Sequence, residues 1–113
     1  MGIEYSQLEN GIRLIRLSER LDIDGTLKIG PRLTEYTNGD ALLIILDLAE
    51  VDFLASIGIR MLVITAKSIF SHGGRVVILN PLSNVKEVLE LTGITQAIPI
   101  CRDLEEATSQ LKS

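Results

Sequence analysis

Apolar residues along this chain follow two spacings, an alternation suited to strands and a three-to-four repeat suited to helices. Residues 3–8 and 11–17 read as two strands, and Asn10-Gly11 between them is a tight-turn signal that predicts a hairpin. In the second run Ile12 and Leu14 alternate with Arg13 and Arg16, and Ile15 blurs the period. Residues 24–37 read as a helix, with Asp24 placed to cap it and Leu27, Ile29, Leu33 and Tyr36 as its apolar face. Gly30-Pro31 disturbs that helix, and Asn38-Gly39-Asp40 ends it.

Residues 41–48 form an almost unbroken apolar run, the signature of a central strand covered on both faces. A helix is expected over residues 57–71, closed at His72-Gly73-Gly74 where a left-handed glycine cap fits. Residues 75–79 read as the next buried strand, 82–91 as a helix, 97–100 as a short strand and 103–112 as a last helix capped by Asp103. The order β-β-α-β-α-β-α-β-α predicts one α/β domain over residues 1–113. Its sheet is mixed but mainly parallel, with an N-terminal β-hairpin and about four helices. The periodicity leaves open whether the helices cover one face of the sheet or both.

Residues 52–60, Asp-Phe-Leu-Ala-Ser-Ile-Gly-Ile-Arg, carry the most chemistry. Ser56 stands just before the expected helix, where its hydroxyl can cap a backbone N–H. Gly58 falls in the first turn, where glycine costs about 1 kcal/mol against alanine; its missing side chain would leave room for another molecule. A helix N-terminus favours anions, so a phosphate on Ser56, bringing about −1.5 to −2 charge, would sit in a compatible place. In the following helix Ile59, Leu62, Val63, Ala66, Ile69 and Phe70 form one apolar arc for the sheet. Ile57, Met61 and Ile64 make a second stripe on the opposite side, beside Arg60. That stripe is either a contact surface for a partner or packing for a neighbouring helix.

Composition narrows the function classes. Aromatic residues make up 4% of the 113 positions and Trp is absent, so the core must be aliphatic. The net charge is −4 and the eleven Lys and Arg are scattered, which argues against nucleic acid. No apolar run is long enough to cross a membrane. A single cysteine, Cys101, permits no intrachain disulfide, and the N-terminus lacks signal-peptide character; both point to the cytoplasm. Cys101 reads as inert core. His72 is the only histidine, and no carboxylate pair or Cys cluster stands beside it, so neither a metal nor a cofactor is expected. Gly73-Gly74 lacks the Lys-Ser/Thr ending of a phosphate-binding loop. No nucleophile–base pair can be assembled, and the chain does not read as an enzyme. Asp47, at the end of the central apolar run, is expected to hydrogen-bond the next turn.

The chain resembles the STAS domain of bacterial anti-sigma factor antagonists over nearly its whole length. The resemblance lies in Leu21-Asp22, the apolar strand ending in Asp47-Leu48, Val51-Asp52-Phe53, and Ala55-Ser56-Ile57-Gly58-Ile59-Arg60. It continues in Gly73-Gly74 before Val76-Val77-Ile78-Leu79 and in Leu91-Thr92-Gly93-Ile94. It implies a switch. Such a protein binds an anti-sigma factor that is also a serine kinase of the histidine-kinase-like ATPase fold. Phosphorylation at the strand–helix turn breaks the complex, and a serine phosphatase of Mg- or Mn-dependent fold restores it. The usual motif is Asp-Ser-Ser/Thr-Gly, with the acceptor before the glycine. Here Ile57 holds that place and Ala55 replaces the Asp. The resemblance therefore carries the phosphoacceptor role to Ser56, the one hydroxyl left in the turn. It also places Asp22 and Asp24 beside that turn, where Asp22 is either a partner or nucleotide contact or a helix-start carboxylate. The implied partner surface comprises Asp22, Asp24, Ala55, Ser56, Ile57, Gly58, Arg60, Met61 and Ile64. The alternative is a STAS-type sensing domain that is not phosphorylated, binds a nucleotide or lipid, and keeps Ser56 as a cap.

Overall fold

The computed structural model describes residues 2–112; the expected domain limits at residues 1 and 113 lie outside the described residues. Strand β1 (Ile3–Gln7) pairs antiparallel with β2 (Ile12–Leu21). Asn10 and Gly11 turn the chain between them at φ 67° and 75°, so the expected hairpin is present. Then follow α1 (Ile23–Tyr36), β3 (Leu43–Leu54), α2 (Ser56–Ser71), β4 (Arg75–Leu79), α3 (Ser83–Leu91), β5 (Ile100–Cys101) and α4 (Leu104–Lys112). Among the described residues the five strands form one sheet in chain order, with β2 through β5 parallel.

That order settles where the helices go. Each step from β2 to β5 moves one strand in the same direction, and right-handed crossovers then place every connecting helix on the same face. Ile29 and Leu33 of α1, Leu62, Ala66 and Ile69 of α2, and Val85 and Leu89 of α3 share one core with Ile15, Leu17, Ile44, Leu46 and Ile78. The opposite face holds a smaller core in which Ala107 and Leu111 of α4 cover Ile12, Leu14, Ile45, Val77, Leu79 and Cys101. Neighbouring residues of β3 alternate between the two cores, which is why its sequence is apolar without a break. The buried Cys101 thiol has its pKa raised, chiefly by desolvation, and this keeps it in the unreactive form.

Strand ends differ from the pattern reading. β2 and β3 run on to Leu21 and Leu54 instead of stopping at residues 17 and 48. The β2–β3 ladder shifts register between Arg16 and Ser18 and again between Glu19 and Arg20, with β3 carrying the extra residue each time. Bulges break alternation, so the periodic signal fades where the strands continue. Asp47 therefore lies within β3, 7% exposed. Its Oδ2 accepts from Arg16 Nε at 3.1 Å and its Oδ1 from the Ala49 N–H at 3.0 Å, inside the first bulge. The Asp47 bond also raises the Arg16 pKa.

Helix α1 is corrected in phase. Its cap is Asp22 and not Asp24: Asp22 Oδ1 accepts the Gly25 N–H at 2.9 Å. Thr26 is thereby buried, while Leu27, expected in the core, is 64% exposed. Gly30-Pro31 does not interrupt the helix. Phe70, expected to face the sheet, is 40% exposed. The last strand is Ile100–Cys101, preceded by a 3-10 turn at Ile94–Gln96. Two ends match their signals. Gly73, at φ 78°, closes α2 by donating to Phe70 O, and the Asp103 side chain accepts from Glu106 N at the start of α4.

Candidate functional site

The parallel strands β2 and β3 end side by side and deliver the starts of α1 and α2 to one edge of the sheet. The Ala55 N–H donates to Leu21 O at 3.0 Å, which fastens the turn before α2 to the end of β2. The Ile59 N–H then donates to Ala55 O at 3.1 Å and opens the helix. Ala55 is thus the N-cap residue, extended at φ −89° and ψ 168°, and among the described residues no side chain caps α2. The expectation that Ser56 caps this helix is corrected: Ser56 is already its first residue, past the position from which a hydroxyl reaches the free N–H groups. Its side chain is exposed and, among the described residues, makes no hydrogen bond. The first turn of α2 also carries no acidic residue, so its positive end is uncompensated.

Gly58 is needed by the chain itself. A Cβ there would stand 2.9 Å from Leu21 O and from Leu54 Cδ1. The room expected for another molecule is filled by the β2–α1 junction, and Gly58 is buried. This close approach brings the Asp22 loop against the Ser56 turn. Asp22 acts in the folded chain as the carboxylate at a helix start. The Gly25 N–H lowers its pKa most, and Arg20 lowers it further through a 3.4 Å contact. The Arg20 guanidinium lies over the Phe53 ring, 4.3 Å from its centre. Asp24 is exposed in the first turn of α1.

Beside this edge, α1 and α2 leave a groove of about 360 Å³ bordered by Leu27, Pro31, Ile57, Met61 and Ile64. The second stripe of α2 divides between its two readings. Met61 is half-buried, its sulfur under Gly30 of α1, and Ile57 is half-buried, whereas Ile64 is 58% exposed. Arg60 is the one charged side chain among the groove's lining residues; it is exposed and has no ion-pair partner among the described residues. The pattern reading missed the α1 wall. Leu27, expected in the core, lines the groove instead. The signal available was the tandem Asp22 and Asp24, which offers two helix phases. Thr26, 5% exposed, lines the same groove, and its hydroxyl has no hydrogen-bond partner among the described residues. His72 lies at the far end of α2, where its ring meets Ser68 O at 2.8 Å. No helix of the described residues is long and apolar enough to cross a membrane.

Comparison with known proteins places this geometry. A stretch of 70 residues, 62% of this chain, is 29% identical to the anti-sigma factor antagonist candidate BtrV of Bordetella bronchiseptica and spans about 60% of that protein's length. An anti-sigma factor antagonist domain protein from Planctomyces limnophilus superposes with a TM-score of 0.86 at 22% identity, covering 98% of both chains. The Bacillus cell fate determinant SpoIIAA shares the fold at 19% identity. Its unphosphorylated form gives a TM-score of 0.76 over 97% of this chain and 96% of its own, and its phosphorylated form 0.69 over 96% and 97%. The STAS domain model matches residues 6–107, from the hairpin into α4, and the chain belongs to the STAS domain family.

Proposed function

We propose that this protein is an anti-sigma factor antagonist acting in the cytoplasm. In this reading it binds an anti-sigma factor that is also a serine kinase of the histidine-kinase-like ATPase fold, and phosphorylation at Ser56 releases it. A serine phosphatase of Mg- or Mn-dependent fold returns it to the binding form. The protein supplies a surface and an acceptor; the catalytic groups belong to the kinase. The observation that carries the reading is Ser56 itself, an exposed and unbonded hydroxyl at the first position of α2 beside an exposed apolar stripe. In the transfer, Ser56 Oγ bonds to the γ-phosphorus of ATP, the bond to ADP breaks, and a base of the kinase takes the hydroxyl proton.

Charge supports the direction of the switch. Asp22, Asp24 and Asp52 already stand on this edge. A phosphate adds about −1.5 to −2 charge next to apolar contacts, and burying it under a partner costs desolvation and repulsion. A differential of about 3 kcal/mol between the two forms changes affinity roughly a hundredfold.

Incubation with the cognate kinase and labelled ATP tests the proposal. The wild type is expected to take up phosphate and Ser56→Ala to take up none while still binding the kinase. Ser56→Asp is expected to bind more weakly. No uptake by the wild type would overturn the switch and favour the sensing domain.

A further inference from the structure

We propose that Arg60 is the group that receives the Ser56 phosphate, and that by taking Arg60 the phosphate removes the groove's one cation from the partner. This rests on the reading of Ser56 as the acceptor. Ser56 and Arg60 are four residues apart on α2, so they occupy the same face one turn apart, at the spacing where helical side chains meet. Both are exposed, and neither has a hydrogen-bond or ion-pair partner among the described residues to compete for it.

Two other cations share this edge, and one of them, Lys28 of α1, lines the hollow that holds Asp22, Asp24 and Asp52. The other, Arg20, bonds Asp22 and lies over Phe53. Groups facing Arg60 across the groove come from α1, and Thr26, Leu27, Pro31 and Thr34 bring no charge. The acids of this edge, Asp22, Asp24 and Asp52, belong to the strand ends and the start of α1. A phosphate on Ser56 therefore meets repulsion from the strand side, the open N–H end of α2 and a free guanidinium one turn along the same helix. A bidentate Arg–phosphate pair is the favoured outcome. Without phosphate, Arg60 is the only charge an apolar partner surface would meet in the groove, and a carboxylate on that surface would complement it.

The test uses the full chain with phosphoserine inserted at position 56 during translation, so that no kinase is needed. Phosphorus NMR follows the second ionisation of the phosphate in the wild type, Arg60→Gln and Arg60→Lys. The wild-type phosphate is expected to hold its last proton about twofold less tightly than in Arg60→Gln, with Arg60→Lys restoring part of the difference. Identical titrations in all three would overturn the proposal. A second measurement is binding to the kinase. Arg60→Gln is expected to weaken binding of the unmodified protein, and phosphoserine is expected to cost it a smaller fold-loss than it costs the wild type, because the cation is already gone. Equal fold-losses would also overturn it. Failure of the underlying reading gives a different result: phosphoserine at 56 would leave kinase binding unchanged in every variant.

Discussion

The first turns of α1 and α2 lie side by side and share a construction. Each has its cap residue in extended backbone and a glycine at the third helical position, Gly25 in one and Gly58 in the other. Each glycine presses on a carbonyl at the end of β2, Arg20 O or Leu21 O. The difference is the cap. Asp22 closes the first turn of α1 and Arg20 closes on Asp22, so the polar groups there are spent on one another. Ala55 closes nothing. Two helix starts of one design thus differ in whether their polar groups are still available. The one left open carries the exposed serine.

Breaking the shared part should have the largest effect. Gly25→Ala drives a methyl group into the Arg20 carbonyl, and an unfolding free-energy loss beyond about 3 kcal/mol is expected by urea titration. Gly58→Ala, with contacts of 2.9 Å, should lose about 1–3 kcal/mol. If Gly58→Ala is neutral, the tight fit of α2 on β2 is not what sets the glycine.

Removing the difference comes next. Ala55→Asp puts a carboxylate in the same backbone setting as Asp22 and should stabilise the protein by about 0.5–2 kcal/mol in the same titration. An unchanged midpoint would mean that the open turn of α2 is satisfied in some other way.

The Asp22 cap can be separated from its charge. Folding lowers the Asp22 pKa, so its ionised form contributes stability fully above the ordinary value of 3.8 and loses it as pH falls through the folded value. Asp22→Asn keeps a capping oxygen without the titration. Between neutral pH and about pH 2 the wild type should therefore lose more stability than Asp22→Asn. Parallel acid curves would remove the charge from the comparison.

The smallest effect belongs to Ser56. Ser56→Ala should change stability by less than about 0.5 kcal/mol, because among the described residues no hydrogen bond depends on the hydroxyl. A loss approaching about 1 kcal/mol would show a capping role in solution.

The central strands and the order of elements could be read from the chain because burial on both faces writes an unbroken apolar run, as in residues 41–48. The helix starts could not be read to the residue. Asp22 and Asp24 are equally good capping letters, and the choice between them is made by Gly25 packing under the Arg20 carbonyl, a contact between residues that no local pattern links. At α2 the boundary is set by a hydrogen bond from Ala55 to Leu21, and alanine gives no signal for it. Both misplacements are short, yet the first moved Leu27 from the core to the groove and the second changed Ser56 from a cap into a free hydroxyl. Residue types at the site were legible from the family resemblance. Their availability for chemistry depended on three-dimensional tethering.

That tether has a consequence for how such a turn can change over time. A main-chain hydrogen bond ties Ala55 to Leu21, so with Gly58 in place the address of the next residue does not depend on the side chains at positions 55 and 57. The turn can exchange Asp for Ala and a hydroxyl residue for Ile57 and still deliver position 56 to the same point in space. What this arrangement preserves is a location, and any side chain placed there inherits the exposure that comes with it.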